Sequence, residues 1–181
     1  MIIFKRKSEK NGHVRNAAIY FQYTGRNALP AGQRMKISYE DELCKIPEEV
    51  FPWIADPSKA MRWQKNVKSG EILIQNPGVI GTTFKEIIEE NGKSLEMYGT
   101  ITEYEKDKII GFNIESRIHK FNVSYIFESL GEKTKLFIKA EIEWKFPMNV
   151  ISFFMHSKIA AGLIKQLRSE VRELKNLCAC S

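Results

Sequence analysis

The 181-residue chain reads as an α+β domain: a curved antiparallel sheet of about seven strands, two short helices and one long C-terminal helix. Three observations carry that reading. Strand-like segments follow one another from Val67 to Phe146 with only compact turns between them. One strand and two proline-started helical segments precede them, and a single apolar-striped helix follows. No alternation of strand and helix is present, so a doubly wound α/β sheet is excluded.

The first strand runs from Lys36 to Lys45. Pro47 suits the first position of a helix, where a missing N–H is harmless, and Glu48 and Glu49 suit the positive end of its dipole. Val50, Phe51 and Ile54 fall at helical spacing and face a core. Asp56-Pro57 repeats the signal: Asp56 caps, Pro57 starts a second helix, and the segment ends near Trp63. Strands are then expected over Val67 to Gln75, Thr82 to Glu90, Lys93 to Glu105, Lys108 to Arg117, Lys120 to Leu130 and Lys133 to Phe146. Asn91-Gly92 is a two-residue hairpin signal, since both positions need positive φ. Lys106-Asp107 and Gly131-Glu132 mark further hairpins, whereas the join near Ile118-His119 holds neither Gly nor Pro.

Alternation is clean in the later strands. Phe121, Val123, Tyr125 and Phe127 share one face; Leu136, Ile138, Ala140, Ile142, Trp144 and Phe146 share another, with charged residues between them. Ile110, Phe112 and Ile114 repeat the pattern. From about Asn149 to Leu177 a helix presents Phe153, His156, Ala160, Leu163, Leu167, Val171 and Leu174 as its inner stripe. At 1.5 Å per residue it spans about 40 Å, enough to cross the sheet.

The net charge of +6 is unevenly spread. Residues 1–36 carry eight basic side chains against one acid, so the rest of the chain is close to neutral and lacks the clustered cations that nucleic-acid binding needs. Residues 1–35 form a basic N-terminal extension, expected to be disordered or outside the core fold; a start-codon artefact and an organelle presequence are the competing readings. The domain proper is assigned to residues 36–181. Cys44, Cys178 and Cys180 are too few and too ill-spaced for a disulfide framework or a zinc site, which points to a reducing cytoplasm. Cys178-Ala179-Cys180-Ser181 formally fits a prenylation box, with poor aliphatic positions.

Several short motifs then fall in a familiar order. Pro47 to Phe51, Asp56-Pro57 followed by Trp63, Gly81, Ile101-Thr102-Glu103-Tyr104 and Gly131 to Thr134 together resemble the START/Bet v1-like (SRPBCC) superfamily, in particular its polyketide cyclase/dehydrase-like branch. The resemblance covers roughly residues 36–177. It implies a helix-grip fold, in which the long helix closes a curved sheet over an internal cavity. It also implies a function among carriers of hydrophobic ligands, aromatase/cyclases, quinone-binding proteins and chaperone co-factors, so the fold underdetermines the activity.

The inward faces supply Phe84, Phe112, Ile114, Phe121, Tyr125, Phe127, Trp144, Phe153, His156, Ala160 and Leu163 as candidate lining for an apolar lipid, polyketide, quinone or sterol-like molecule. The bland alternative is that these side chains simply fill a close-packed core. His156, on the inner stripe, and Glu103, which shares a face with Ile101 in a regular strand, are the candidate proton-moving residues if the protein is a cyclase/dehydratase-type enzyme. No nucleophile triad, phosphate loop, metal set or cofactor motif is present, so no cofactor is expected and a non-enzymatic binder is favoured. A third reading is an interaction module with a macromolecular partner, steered by the basic extension. Phe146, Met148, Val150, Ile151, Phe154 and Met155 crowd the junction into the long helix, consistent with a portal, a transient membrane contact or a dimer contact. A monomer or weak dimer is expected.

Overall fold

The computed structural model describes residues 18–24, 34–90 and 92–178, with the side chains of 18–24, Glu90, Asn149, 151–154 and His156 outside the description. Its elements, in chain order, are β1 (Ala18–Thr24), β2 (Arg34–Leu43), α1 (Pro47–Ala55), α2 (Pro57–Trp63), β3 (Val67–Ile74), β4 (Thr83–Glu90), β5 (Lys93–Glu105), β6 (Ile109–Ser116), β7 (His119–Leu130), β8 (Lys133–Trp144) and α3 (Met148–Leu177). The strands form one antiparallel sheet in the order β1-β2-β8-β7-β6-β5-β4-β3.

Strands β2 to β8 are the seven expected from the sequence. The eighth, β1, comes from the segment expected to lie outside the core fold, and it pairs with β2 from Ala18 opposite Glu40 to Thr24 opposite Arg34. Ile19, Tyr20, Phe21 and Tyr23 are strong strand formers, and β2 offers them an open edge. The join without Gly or Pro is a serine turn: Ser116 Oγ accepts the N–H groups of Ile118 and His119, both at 3.2 Å.

The small helices form as their caps dictate. Asp56 accepts the Ser58 N–H at 2.9 Å, and the Trp63 indole donates to the Trp53 carbonyl at 2.8 Å, locking α2 against α1. Val50, Phe51 and Ile54 of α1 join Leu43, Ile110, Leu136, Val171 and Leu174 in the main core. Burying each such side chain stabilises the fold by about 1.5–3 kcal/mol.

Helix α3 has 30 residues, about 45 Å of length, and crosses the concave face of the sheet. Its C-terminal end is pinned to β2. Lys175 Nζ donates to Asp41 Oδ1 at 2.6 Å, and Tyr39 donates its hydroxyl to the other carboxylate oxygen at 2.9 Å. Burial, followed by the Asp41 charge, pushes the Tyr39 hydroxyl well above its ordinary titration range. Cys178 caps this end inside the core, where burial lifts its thiol to about 11, a poor setting for lipid attachment. Cys44 is disulfide-bonded, a pairing that the cysteine spacing does not signal. No helix among the described residues is long and apolar enough to cross a membrane.

Candidate ligand-binding site

The interior between sheet and helix is packed to different degrees along its length. Beneath α1 and the last turns of α3, Leu43, Leu136 and Leu174 are at most 1% exposed. Further along the same concave face, Phe84, Glu86 and Ile88 of β4, Phe112 of β6 and Leu163 and Leu167 of α3 remain partly accessible. Inward side chains that are not fully buried mark where a helix-grip fold would leave space for a ligand.

The aromatic wall of that space is continuous. The Phe84 and Phe112 rings meet edge to face with centroids 5.8 Å apart, Phe112 meets Tyr125 at 6.2 Å, and Tyr125 meets Trp63 at 6.3 Å. Gly99 makes the first of these contacts possible. It faces Phe84 across the β4–β5 pair, and a Cβ there would overlap the ring, which lies flat over the glycine backbone.

Three polar groups interrupt the wall. Glu86 lies between Phe84 and Ile88 on the inner face of β4, opposite the buried Met97. Burial is the cause of its titration rising to about 7. Glu170 enters from α3; burial raises its carboxyl as well, partly offset by the Gln166 amide, which donates to it at 3.0 Å, and by the Lys65 backbone N–H. Tyr125, 8% exposed on β7, is pushed strongly upward by burial and then by the charges of Glu170 and Glu86. The three come from β4, β7 and α3, and Tyr125 lies within electrostatic reach of both acids.

The candidates named from sequence divide into groups. Phe84 and Phe112 lie on the partly accessible stretch, and Tyr125, 8% exposed, belongs to the main core beside them. Phe127 packs on Phe51 with centroids 5.2 Å apart, in the main core. Ile114 is 8% exposed on the inner face of β6. Phe121, Trp144 and Leu163 pack against a second cluster formed by Met35, Ile37, Ile142 and Ala160. Trp144 keeps a buried indole N–H without a hydrogen-bond partner among the described residues, beside the His119 ring at 5.4 Å. That histidine is held below its ordinary titration range by burial and then by Lys145, and its Nδ1 lies 2.9 Å from Ser116 Oγ. The side chains of Phe153 and His156 lie outside the described residues.

Glu103 does not face inward. A β-bulge between Ile101 and Glu103 adds a residue to β5, so Tyr104 takes the inner position opposite Ile110 and Glu103 turns to the outer face. There it accepts the Ser124 hydroxyl at 2.9 Å. Strict alternation from Ile101 misses this, because a bulge reverses every side chain beyond it.

Sequence reasoning passed over Glu86 and Glu170, although a signal was there. Glu86 is the one charge on the face Phe84–Glu86–Ile88, and Glu170 sits three residues after Leu167 and four before Leu174, on the apolar stripe. A carboxylate on a face that is otherwise apolar is costly unless something meets it.

Residues 46–179 match the family described as polyketide cyclase / dehydrase and lipid transport. No curated protein matches the sequence. Solved structures do. A protein from Thermus thermophilus is 16% identical with a TM-score of 0.68, over 80% of this chain and 97% of that one. A START superfamily protein from Mycobacterium smegmatis is 17% identical at 0.67, with the same two coverages. The Zhui aromatase/cyclase from Streptomyces sp. R1128 is 9% identical at 0.67, over 81% of this chain and 94% of that one. At such identities these structures establish the helix-grip fold and nothing finer.

Proposed function

Because the chain belongs to the polyketide cyclase / dehydrase and lipid transport family, we propose that it binds and carries an apolar small molecule between its sheet and α3. Family membership supports a hydrophobic ligand-binding domain; a lipid, polyketide, quinone or sterol-like occupant is the finer part of the reading. The observation that carries it is the row of inward apolar side chains on β4, β6 and α3 that stay partly accessible. Transfer by brief contact with a membrane is supported by the β8–α3 junction, where Phe146 is 80% exposed and Val150 and Met155 are 39% and 45% exposed.

Native mass spectrometry of the protein purified from its own host tests the proposal. The expected spectrum holds an adduct of defined mass that solvent extraction removes and that returns when the stripped protein meets a host lipid extract. A bare mass before and after such exposure, together with no uptake of an environment-sensitive apolar dye, would sink it.

A second reading, a cyclase/dehydratase-type enzyme, is favoured by Glu86, whose titration at about 7 inside the space suits a general acid or base. Turnover of an aromatic polyketide precursor that Glu86→Gln abolishes is the expected result on that reading. Turnover insensitive to the substitution would remove it.

A further inference from the structure

We propose that the occupant presents a neutral carbonyl oxygen to the Trp144 indole N–H, beside the His119 ring, where the sheet meets the start of α3. The inference rests on the ligand-carrier reading above and adds the chemical class of the ligand's polar end.

The Trp144 indole nitrogen is shut off from solvent, and among the described residues it is the only buried side-chain nitrogen or oxygen without a hydrogen-bond partner. A buried N–H left unmade costs about 1–3 kcal/mol, so native folds rarely keep one that nothing else meets. The strand register puts this donor on the ligand side. Pairing of β7 with β8 runs without a shift, with Trp144 opposite His119 and Ile142 opposite Phe121. Two-residue alternation therefore sets all four on the concave face. Trp144 packs there against the cluster of Met35, Ile37, Ile142 and Ala160, with Leu163 of α3 beside it. The described pairing of β2 with β8 stops at Arg34 opposite Glu143, so Trp144 lies past the end of that ladder. Phe146, 80% exposed, follows two residues later, which sets the donor next to the lip proposed for membrane contact.

The neighbouring ring adds a second uncharged donor. The His119 and Trp144 rings lie 5.4 Å apart between centroids, tilted by 41°. Ser116 Oγ accepts the N–H groups of Ile118 and His119, so its own hydrogen is left to donate. Its shorter contact is His119 Nδ1 at 2.9 Å, against 3.3 Å to the His119 carbonyl. An imidazole that accepts at Nδ1 carries its proton on Nε2. Burial, followed by Lys145, holds this ring below its ordinary titration range and so keeps it neutral. The Lys145 ammonium is itself engaged, donating to Glu115 Oε1 at 2.6 Å and to the Ser116 carbonyl at 2.8 Å. Both ring donors are thus uncharged and stand among apolar side chains. Burying a carboxylate against them costs far more than burying a ketone-type oxygen, so a free acid is the poorer occupant in this orientation.

Three probes separate the possibilities on the stripped full-length protein at about pH 7.5: 2-undecanone, its shape-matched alkene 2-methyl-1-undecene, and undecanoate, each displacing an apolar dye. The ketone is expected to bind at least about tenfold more tightly than the alkene, the worth of one buried donor satisfied, with undecanoate weaker than the ketone. Trp144→Phe removes the N–H and should bring the ketone-to-alkene ratio below about threefold. A readout on the wild-type protein stands even if that variant fails to fold. The chain has three tryptophans, so its proton–nitrogen NMR spectrum holds three indole N–H signals. Adding the ketone should move the Trp144 signal downfield and leave that of Trp63, which already donates to the Trp53 carbonyl at 2.8 Å, in place. An unmoved Trp144 signal, as a fixed water on the N–H would give, overturns the inference while leaving the carrier reading intact. So does equal affinity for ketone and alkene, tighter binding of undecanoate, or a ratio that survives Trp144→Phe. Failure of all three probes, with no adduct on the host-purified protein, removes the carrier reading and this inference with it.

Discussion

Replacing Glu86 with glutamine should make the ligand-free protein more stable, and only above a certain pH. The carboxyl group titrates near its ordinary 4.5 when the chain is unfolded and at about 7 in the fold, because burial disfavours its charged form. Below pH 4.5 both states hold the proton and the group is neutral to stability. Between 4.5 and 7 the folded protein binds a proton that the unfolded chain has released, so stability falls as pH rises and levels off above 7. At about 1.36 kcal/mol per pH unit the full loss comes to about 3 kcal/mol. Partial access to water trims it to about 2 kcal/mol. Glutamine keeps the shape without the charge. Glu86→Gln should therefore match the wild type at about pH 4.5 and exceed it by about 2 kcal/mol at about pH 8.5, or by roughly 4–8 °C in a chain of this size. Urea denaturation of both proteins, followed by tryptophan fluorescence across that range, measures the difference directly. Titrations common to the two proteins cancel in the comparison. Parallel curves, with a gap that does not change with pH, would show that Glu86 is not desolvated in the fold.

Asp41→Ala strands the Lys175 ammonium and the Tyr39 hydroxyl at the C-terminal end of α3. The expected loss is about 2–4 kcal/mol, and Lys175→Met in the same background recovers part of it, as a double-mutant cycle reads out. Gly99→Val forces the Phe84 ring off β5, so apolar dye binding falls and the fold loses about 1–3 kcal/mol of stability. Phe146→Ser should slow transfer of an apolar dye from vesicles while changing stability by less than about 0.5 kcal/mol, since this side chain is largely in solvent.

Much of the architecture was legible along the chain because its signals are local. Hairpin residues at Asn91-Gly92 and Gly131, prolines at the starts of α1 and α2, and two-residue alternation in β6, β7 and β8 each act within a few residues. The α3 stripe from Ala160 to Leu174 likewise follows from 3.6 residues per turn. Where a local rule is interrupted, the reading slipped: the bulge after Ile101 sent Glu103 outward, and β1 exists through pairing with β2 rather than through a clean pattern of its own.

The candidate site belongs to a different order of information. Spacing along a strand or helix decides which face a side chain takes, and on that basis the chain alone set Phe84, Phe112 and Tyr125 toward the interior. Which of those faces meet depends on the curvature of the sheet and on the line along which α3 crosses it. Glu86, Tyr125 and Glu170 are far apart in the chain, and only that crossing brings Tyr125 within reach of both acids' charge. The same holds for Lys175 on Asp41, 134 residues away. Local periodicity carries no term for contacts of that range; packing of whole elements against one another does.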